Sequence, residues 1–329
     1  MIKIDLITGL LGAGKTTFIA EYAKHLISRG EHICILANDY GAISIDRAFL
    51  LEQLGDSCDI EMVVAGDADC QRRRFRTKLI SFAMLGYSRV LVEPSGVFDI
   101  EDFYNILYDE PISRWYQADN VISVVSADLP DHLSESSEYM LTDQASTAGL
   151  IYLSRTDGLS PSEIESAEKK IRAHLVRDAG KFHCTRDFSA VPMITRSSSG
   201  SEEMWDRIGS AGHSSADMVR MRYDEDGSFQ NLFYFHINRT EQDMRTLVSK
   251  IFSDPERFGH VIRIKGFFTD TGTGEWKEIN ATSRETKISP SATAPGQQEE
   301  VLILVGEQMN ERQLGAAFGE TKNVTDYSI

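Results

Sequence analysis

Gly9-Leu-Leu-Gly-Ala-Gly-Lys-Thr16 decides how this chain is read, because it fits the spacing G-x-x-x-x-G-K-[ST] and follows the apolar run Ile2-Lys-Ile-Asp-Leu-Ile7. Gly9, Gly12 and Gly14 allow the backbone to turn tightly, so that the N–H groups from Gly12 through Ala13, Gly14, Lys15 and Thr16 to Thr17 point at β- and γ-phosphate oxygens. Lys15 adds a cation, and Thr16 adds a hydroxyl suited to Mg²⁺. A helix expected from Thr17 to about Ser28 turns its positive dipole end toward the same anion. A strand, a glycine-rich loop and a helix in that order make a nucleotide-binding phosphate loop.

The 329 residues suggest about two domains, each large enough for its own core. Hydrophobic content of 41% and charged content of 26% are ordinary for a globular protein. No apolar run is long enough to cross a bilayer, and Lys3 and Asp5 interrupt the one N-terminal candidate for a signal sequence, so no membrane association and a cytoplasmic location are expected. Four scattered cysteines (Cys34, Cys58, Cys70, Cys184) do not form a disulfide framework. The net charge is −16, of which −13 falls in residues 1–229 and −3 in residues 230–329. That field repels nucleic acid and favours cations or basic partners. The one basic cluster, Arg72-Arg-Arg74 with Arg76 and Lys78, reads as a solvated helix face.

Strand-like segments at 2–7, 32–37, 59–64, 89–92, 121–125, 149–153 and 191–194 alternate with helical patterns at 18–28, 72–85, 100–107 and 162–179. That alternation predicts an α/β fold, a P-loop NTPase domain over residues 1–208 with a mostly parallel sheet flanked by helices. Residues 209–229, rich in Gly, Ser and Asp, read as a linker. Residues 230–321 then form a small α+β domain, with strands at 232–237, 261–268, 275–280 and 301–305, helices at 241–252 and 311–318, and a mobile loop at Ser289–Gln298. Residues 322–329 are a tail.

Three further segments could complete a triphosphate site. Glu93-Pro-Ser-Gly96 follows a strand, so Glu93 can order Mg²⁺ or its waters while Gly96 gives its N–H to the γ-phosphate. Asn38-Asp-Tyr-Gly41 also follows a strand, and Asp39 could reach Mg²⁺ or the attacking water, although the same composition suits an ordinary turn. Ser154-Arg-Thr-Asp157 supplies a carboxylate, Asp157, able to accept from guanine N1 and N2, and a planar side chain, Arg155, that could lie over the base. The usual guanine-reading order is Asn-Lys-x-Asp, so Ser154 removes one amide contact and leaves adenine open as an alternative base.

The ordered set of phosphate loop, Asn38-Asp-Tyr-Gly41 with Ile45-Asp46, Glu93-Pro-Ser-Gly96 and Ser154-Arg-Thr-Asp157 resembles the CobW-type metal-chaperone GTPases, relatives of the urease- and hydrogenase-maturation GTPases. The E-x-x-G form separates that class from D-x-x-G switch proteins. Arg263-Ile-Lys-Gly-Phe-Phe268 and Val301-Leu-Ile-Leu-Val-Gly306 resemble the family's small C-terminal domain. The resemblance implies a slow, partner-regulated GTPase using GTP, GDP and Mg²⁺, with Lys15, Asp39 and Glu93 as its working residues. It implies a client metalloenzyme or corrinoid protein as partner and a nucleotide-dependent homodimer.

Members of that class usually carry Gly-Cys-x-Cys-Cys, whereas this chain has Gly66-Asp-Ala-Asp-Cys70. Asp67, Asp69 and Cys70 form a poorer set for soft ions and suit a harder or borderline divalent metal such as Co²⁺ or Fe²⁺, with Zn²⁺ a further candidate, or else no metal at all. His183-Cys184 reads as ordinary packing. Two other functions fit the same residues, an ATP-driven reactivation or assembly factor and a non-catalytic nucleotide-binding adaptor.

Overall fold

The apolar β-rich runs of the first two hundred residues do form one sheet. A computed structural model describes residues 1–39, 45–64, 68–94, 100–196, 202–220, 229–291 and 300–318. The chain divides into two compact units, Met1–Tyr40 with Phe49–Met221, and Gly41–Ala48 with Arg222–Ile329.

Along the chain the order is β1 (Ile2–Thr8), α1 (Lys15–Ser28), β2 (Ile33–Asp39), α2 (Ile45–Leu54, whose residues 45–48 belong to the second unit), β3 (Asp59–Val64), α3 (Ala68–Phe82) and β4 (Arg89–Glu93). There follow α4 (Ile100–Leu107), β5 (Tyr116–Ser126), α5 (Glu135–Ser146), β6 (Leu150–Ser154), α6 (Pro161–Lys181), β7 (Met193–Thr195) and α7 (Glu202–Gly209). The seven strands lie side by side as β3-β2-β4-β1-β5-β6-β7, and every pairing is parallel. Successive side chains of a strand face opposite ways. Ile7, Ile35 and Leu91 therefore meet Phe18, Ile19 and Leu26 of α1 on one face, while Leu6, Leu36 and Val92 meet Leu79, Phe82 and Phe103 of α3 and α4 on the other. Apolar residues on both faces are what a central parallel strand requires.

Asp5 breaks that apolar run in β1, at the register shift between Ile4 and Leu6 against β5, and it is fully buried. Its carboxylate accepts from Arg89 (2.7 and 2.8 Å), from Tyr22 Oη (2.9 Å) and from the backbone and side-chain nitrogens of Asn120 (3.0 and 3.1 Å). Burial pushes its carboxyl up from the ordinary 3.8, and Arg89 opposes that shift. A buried carboxylate persists only with such a set of donors. The network cross-links β1, β4 and β5.

The second unit contains β8 (Phe229–Phe235), α8 (Glu241–Ser253), α9 (Pro255–Phe258), β9 (His260–Thr269), β10 (Trp276–Ala281), β11 (Thr286–Pro290), β12 (Val301–Glu307) and α10 (Glu311–Phe318). Its sheet is antiparallel in the order β11-β10-β9-β12-β8. Leu232, Ile264, Phe268, Leu302 and Leu304 pack on Met244, Val248 and Ile251 of α8 and on Leu314 of α10. One difference from the sequence reading is β11: Ser289 and Pro290, expected in a loop, pair with Glu278 and Lys277. Proline is tolerated there because β11 is an edge strand. Residues 292–298 of that expected loop lie outside the described residues.

The described part of the segment read as a linker runs along the first unit. Val121 N donates to Gly212 O at 2.9 Å, and Gly212 N donates to Asn120 Oδ1 at 2.8 Å. The basic cluster on α3 is matched by acids, with Arg72 on Asp102 (3.5 Å), Arg76 on Asp109 and Lys78 on Glu61 (2.6 Å). Among the described residues no helix is long and apolar enough to cross a membrane.

Candidate functional site

All strands of the first unit run the same way, so their carboxyl ends share one edge of the sheet. β1 is flanked by β4 and β5, not by β2, and in open parallel sheets the crevice at such a reversal of strand order is where ligands bind. The phosphate loop leaves β1 there, Glu93 ends β4, Asp39 ends β2 and Ser154 ends β6. Ala37 is in register with Glu93, which puts the Asp39 backbone two residues further out on the neighbouring strand.

The loop has the conformation its glycines permit, with Gly9, Gly12 and Gly14 at φ of 142°, 77° and 92°. Gly14 caps α1 in the left-handed region. Gly9 is also forced by close approach, since a Cβ there would lie 2.2 Å from the carbonyl oxygen of Val124. Ala13 and Lys15 are buried, Thr16 is half-buried and Thr17 is exposed. Lys15 Nζ donates to the carbonyls of Gly9 (2.8 Å) and Leu10 (3.3 Å), so the ammonium lies across the mouth of the loop.

Thr16 Oγ1 donates to Glu93 Oε1 at 2.9 Å. Two motifs separated by 77 residues are thereby brought together, and Glu93 is buried at the end of β4. A hydroxyl and a carboxylate offer hard oxygen donors, the chemistry that suits Mg²⁺. Asp39 is described in its backbone alone. Gly96 and Asp67 lie outside the described residues, and for Asp69 and Cys70, in the first turn of α3, only the backbone is described.

Ser154 does more than drop an amide. Its hydroxyl donates to the carbonyl of Ala13 at 2.6 Å, tying the end of β6 to the phosphate loop. Arg155 sits at φ 58° and turns its guanidinium to that loop as well, donating to Gly12 O at 2.6 Å, with Asp128 3.7 Å away. Thr156 is buried and shares a 2.6 Å hydrogen bond with Thr195 at the end of β7. Asp157 is exposed at the rim.

Two residues of α5 absent from the sequence reading tie neighbouring segments together, and the first of them, Gln144, holds the phosphate loop. Gln144 accepts from Gly9 N through Oε1 (3.2 Å) and from Thr8 Oγ1 through its carbonyl (2.6 Å). Its neighbour Asp143 accepts from Ile100 N at 3.3 Å, the first residue of α4. Their one sequence signal is a polar pair within a segment that must be buried, and that burial is not legible beforehand.

Among the described residues no group of three or more His, Cys, Asp or Glu side chains could hold a metal ion. Cys34 and Cys58 are free and buried, and burial pushes both thiols up, that of Cys58 to about 12. Protonated buried thiols are poor ligands. Burial likewise raises the half-buried Cys184 thiol.

A family model for the CobW/HypB/UreG nucleotide-binding domain matches residues 3–181. The zinc chaperone YeiR of Escherichia coli (strain K12) is 24% identical over 172 residues, covering 51% of this chain and 51% of that protein. The zinc chaperone YjiA of the same organism is 26% identical over 177 residues, covering 49% and 52%. The chain therefore spans about half the length of the curated relatives it matches. The crystal structure of Zn(II)-bound YjiA GTPase from E. coli aligns over 98% of this chain and 99% of that one, at 16% identity and a TM-score of 0.40. The matched domain contains the phosphate loop, Glu93 and Ser154-Arg-Thr-Asp157, and because it covers more than half of the sequence, the chain belongs to the CobW/HypB/UreG family.

Proposed function

We propose that this protein is a nucleotide-switched GTPase, converting GTP and water to GDP and phosphate, whose two states serve metal delivery or metal-cofactor assembly for a client metalloenzyme or corrinoid protein. The observation that carries the reading is the 2.9 Å hydrogen bond between Thr16 and Glu93, because it joins the hydroxyl and the carboxylate that a triphosphate site needs at one strand edge. Family membership and the two zinc chaperones among its relatives support the metal-delivery half.

In this reading the N–H groups of Gly12 to Thr17 cradle the phosphates, and Lys15 exchanges the carbonyls of Gly9 and Leu10 for phosphate oxygens. Thr16 and Glu93, with Asp39, would hold Mg²⁺, which when bound neutralises charge on the phosphates. Glu93 and Asp39 order the attacking water, and Gly96 senses the γ-phosphate. Asp157 accepts from guanine N1–H and N2–H. Loss of the γ-phosphate changes the loops near 39–46 and 66–70, where Asp67, Asp69 and Cys70 are the candidate cargo ligands.

The test is turnover of GTP and ATP with Mg²⁺. Lys15→Ala is expected to abolish binding of the triphosphate, and Glu93→Gln to lower kcat by about 100-fold. Asp157→Ala is expected to remove the preference for GTP. Turnover unaffected by Lys15→Ala and Glu93→Gln would overturn the hydrolytic reading, leaving the adaptor. Equal affinity for ATP and GTP, unchanged by Asp157→Ala, would leave the ATP-driven factor. For the cargo, Co²⁺ and Zn²⁺ binding with a non-hydrolysable GTP analogue should be lost in the Asp67→Ala, Asp69→Ala, Cys70→Ala triple variant.

A further inference from the structure

The turn that carries Asp157 is fixed residue by residue on both sides of the carboxylate. Ser154 is tied to Ala13, and Arg155 to Gly12 with Asp128 beside it. Thr156 is tied to Thr195, and Leu159 N closes the turn onto Thr156 O at 3.1 Å. Ser160 then caps α6 through a reciprocal pair with Glu163. Asp157 itself is exposed and makes no hydrogen bond or ion pair with a described residue that would hold its side chain. A carboxylate is left available on a scaffold in which its neighbours are committed.

The backbone explains how this is reached. β6 and β7 are in parallel register, with Leu153 opposite Thr195. An ordinary extended continuation past Ser154 would point alternate residues to opposite faces of the sheet. Arg155 instead adopts φ 58°, a left-handed conformation unfavourable for a residue with a Cβ. The turn carries Arg155 and Asp157 outward and Thr156 inward, where only 2% of Thr156 and 6% of Thr195 is accessible. A buried hydroxyl needs a partner, and at 2.6 Å each threonine supplies the other's. Strain in one residue is thus held by a buried hydrogen bond in the next.

We propose that Thr156 and Thr195 are positioning residues for base selection: their paired hydroxyls hold the strained turn so that the Asp157 carboxylate faces the adjacent N1–H and N2–H donors of guanine. The inference rests on the guanine reading proposed above. Bidentate recognition is sensitive to direction, so a turn free to relax keeps its charge but loses its aim. Adenine presents an acceptor at N1, which a carboxylate disfavours. The pair would therefore set the ratio of affinities between bases more than affinity for the phosphates.

Equilibrium binding of GDP and IDP to the full chain tests this, since IDP lacks only the 2-amino group. The wild type is expected to prefer GDP by about 10-fold. Thr156→Val and Thr195→Val, which keep shape and remove the hydroxyl, should each lower that ratio to about 3-fold or less while IDP affinity stays within about 2-fold. Thr156→Ser should restore the ratio, and the double valine variant should be no worse than either single one. If either valine variant fails to fold, Thr156→Ala and Thr195→Ala give the same readout. A GDP-to-IDP ratio unchanged in the valine or alanine variants, or GDP and IDP affinities falling together, would overturn the positioning role. Equal GDP and IDP affinity in the wild type, unmoved by Asp157→Asn, would instead overturn the guanine reading and the pin with it.

Discussion

Gly9 is constrained twice, by its φ of 142° and by the carbonyl of Val124, 2.2 Å from where a Cβ would stand. Gly9→Ala is therefore expected to displace β1 from β5 and to cost about 3 kcal/mol, read as a shift in the urea midpoint, with loss of GDP binding. Ser154 gives a milder expectation. Removing its hydroxyl leaves the carbonyl of Ala13 without that donor, so Ser154→Ala should cost about 1 kcal/mol and weaken GDP and IDP alike, because the phosphate loop and not the base edge loses its support. Equal binding in the variant and wild type would remove Ser154 from the site. The sequence presented Ser154 as a lost amide contact, and the structure presents it as a strap on the loop. The difference could not be read beforehand because Ala13 is 141 residues away in sequence.

Among the elements, α4 was legible from its apolar stripe and α5 was not. α4 appears within the bounds its apolar spacing suggested, Ile100–Leu107, with Phe103, Ile106 and Leu107 buried. α5 has no such stripe: Ser137, Thr142, Asp143, Gln144 and Ser146 are buried together with Leu141 and Ala145. Buried polar residues, of which Gln144 holds the phosphate loop and Asp143 the start of α4, erase the period of 3.6 on which sequence reading depends. At the start of α6, Ser160→Ala should cost about 1 kcal/mol by thermal denaturation, through loss of the N-terminal cap. In the second unit, the Gly272 N–H and Lys277 hold Asp270 below its ordinary 3.8, while Lys277 and Arg245 hold Glu241 below 4.5. Both are carboxylates with depressed values, so their contribution is present above the ordinary carboxylate range and is lost as pH falls through the depressed values. Amide protection in β9 and β10 is expected to fall on going from about pH 5 to about pH 3, and to fall less in Asp270→Asn. An identical acid profile in that variant would remove Asp270 from the effect.

For the whole molecule, nucleotide should stabilise the first unit by mass action. GDP at about 100 times its Kd adds about 2.7 kcal/mol to that unit's unfolding free energy, seen as slower exchange of β1 and β4 amides, and Lys15→Ala should abolish the gain. The sequence by itself determined the phosphate loop, the alternation that makes a parallel sheet and the change of pattern beyond residue 229, because each is encoded in neighbours close along the chain. Glu93 was legible as a candidate for the same reason, as a carboxylate directly after an apolar strand. Only the tertiary structure decided that Glu93 meets Thr16, that Ser154 and Arg155 strap the phosphate loop, and that Thr156 pairs with Thr195. Those contacts depend on strand order, β1 beside β4 and β6 beside β7, and strand order is set by packing among distant segments that local periodicity does not specify.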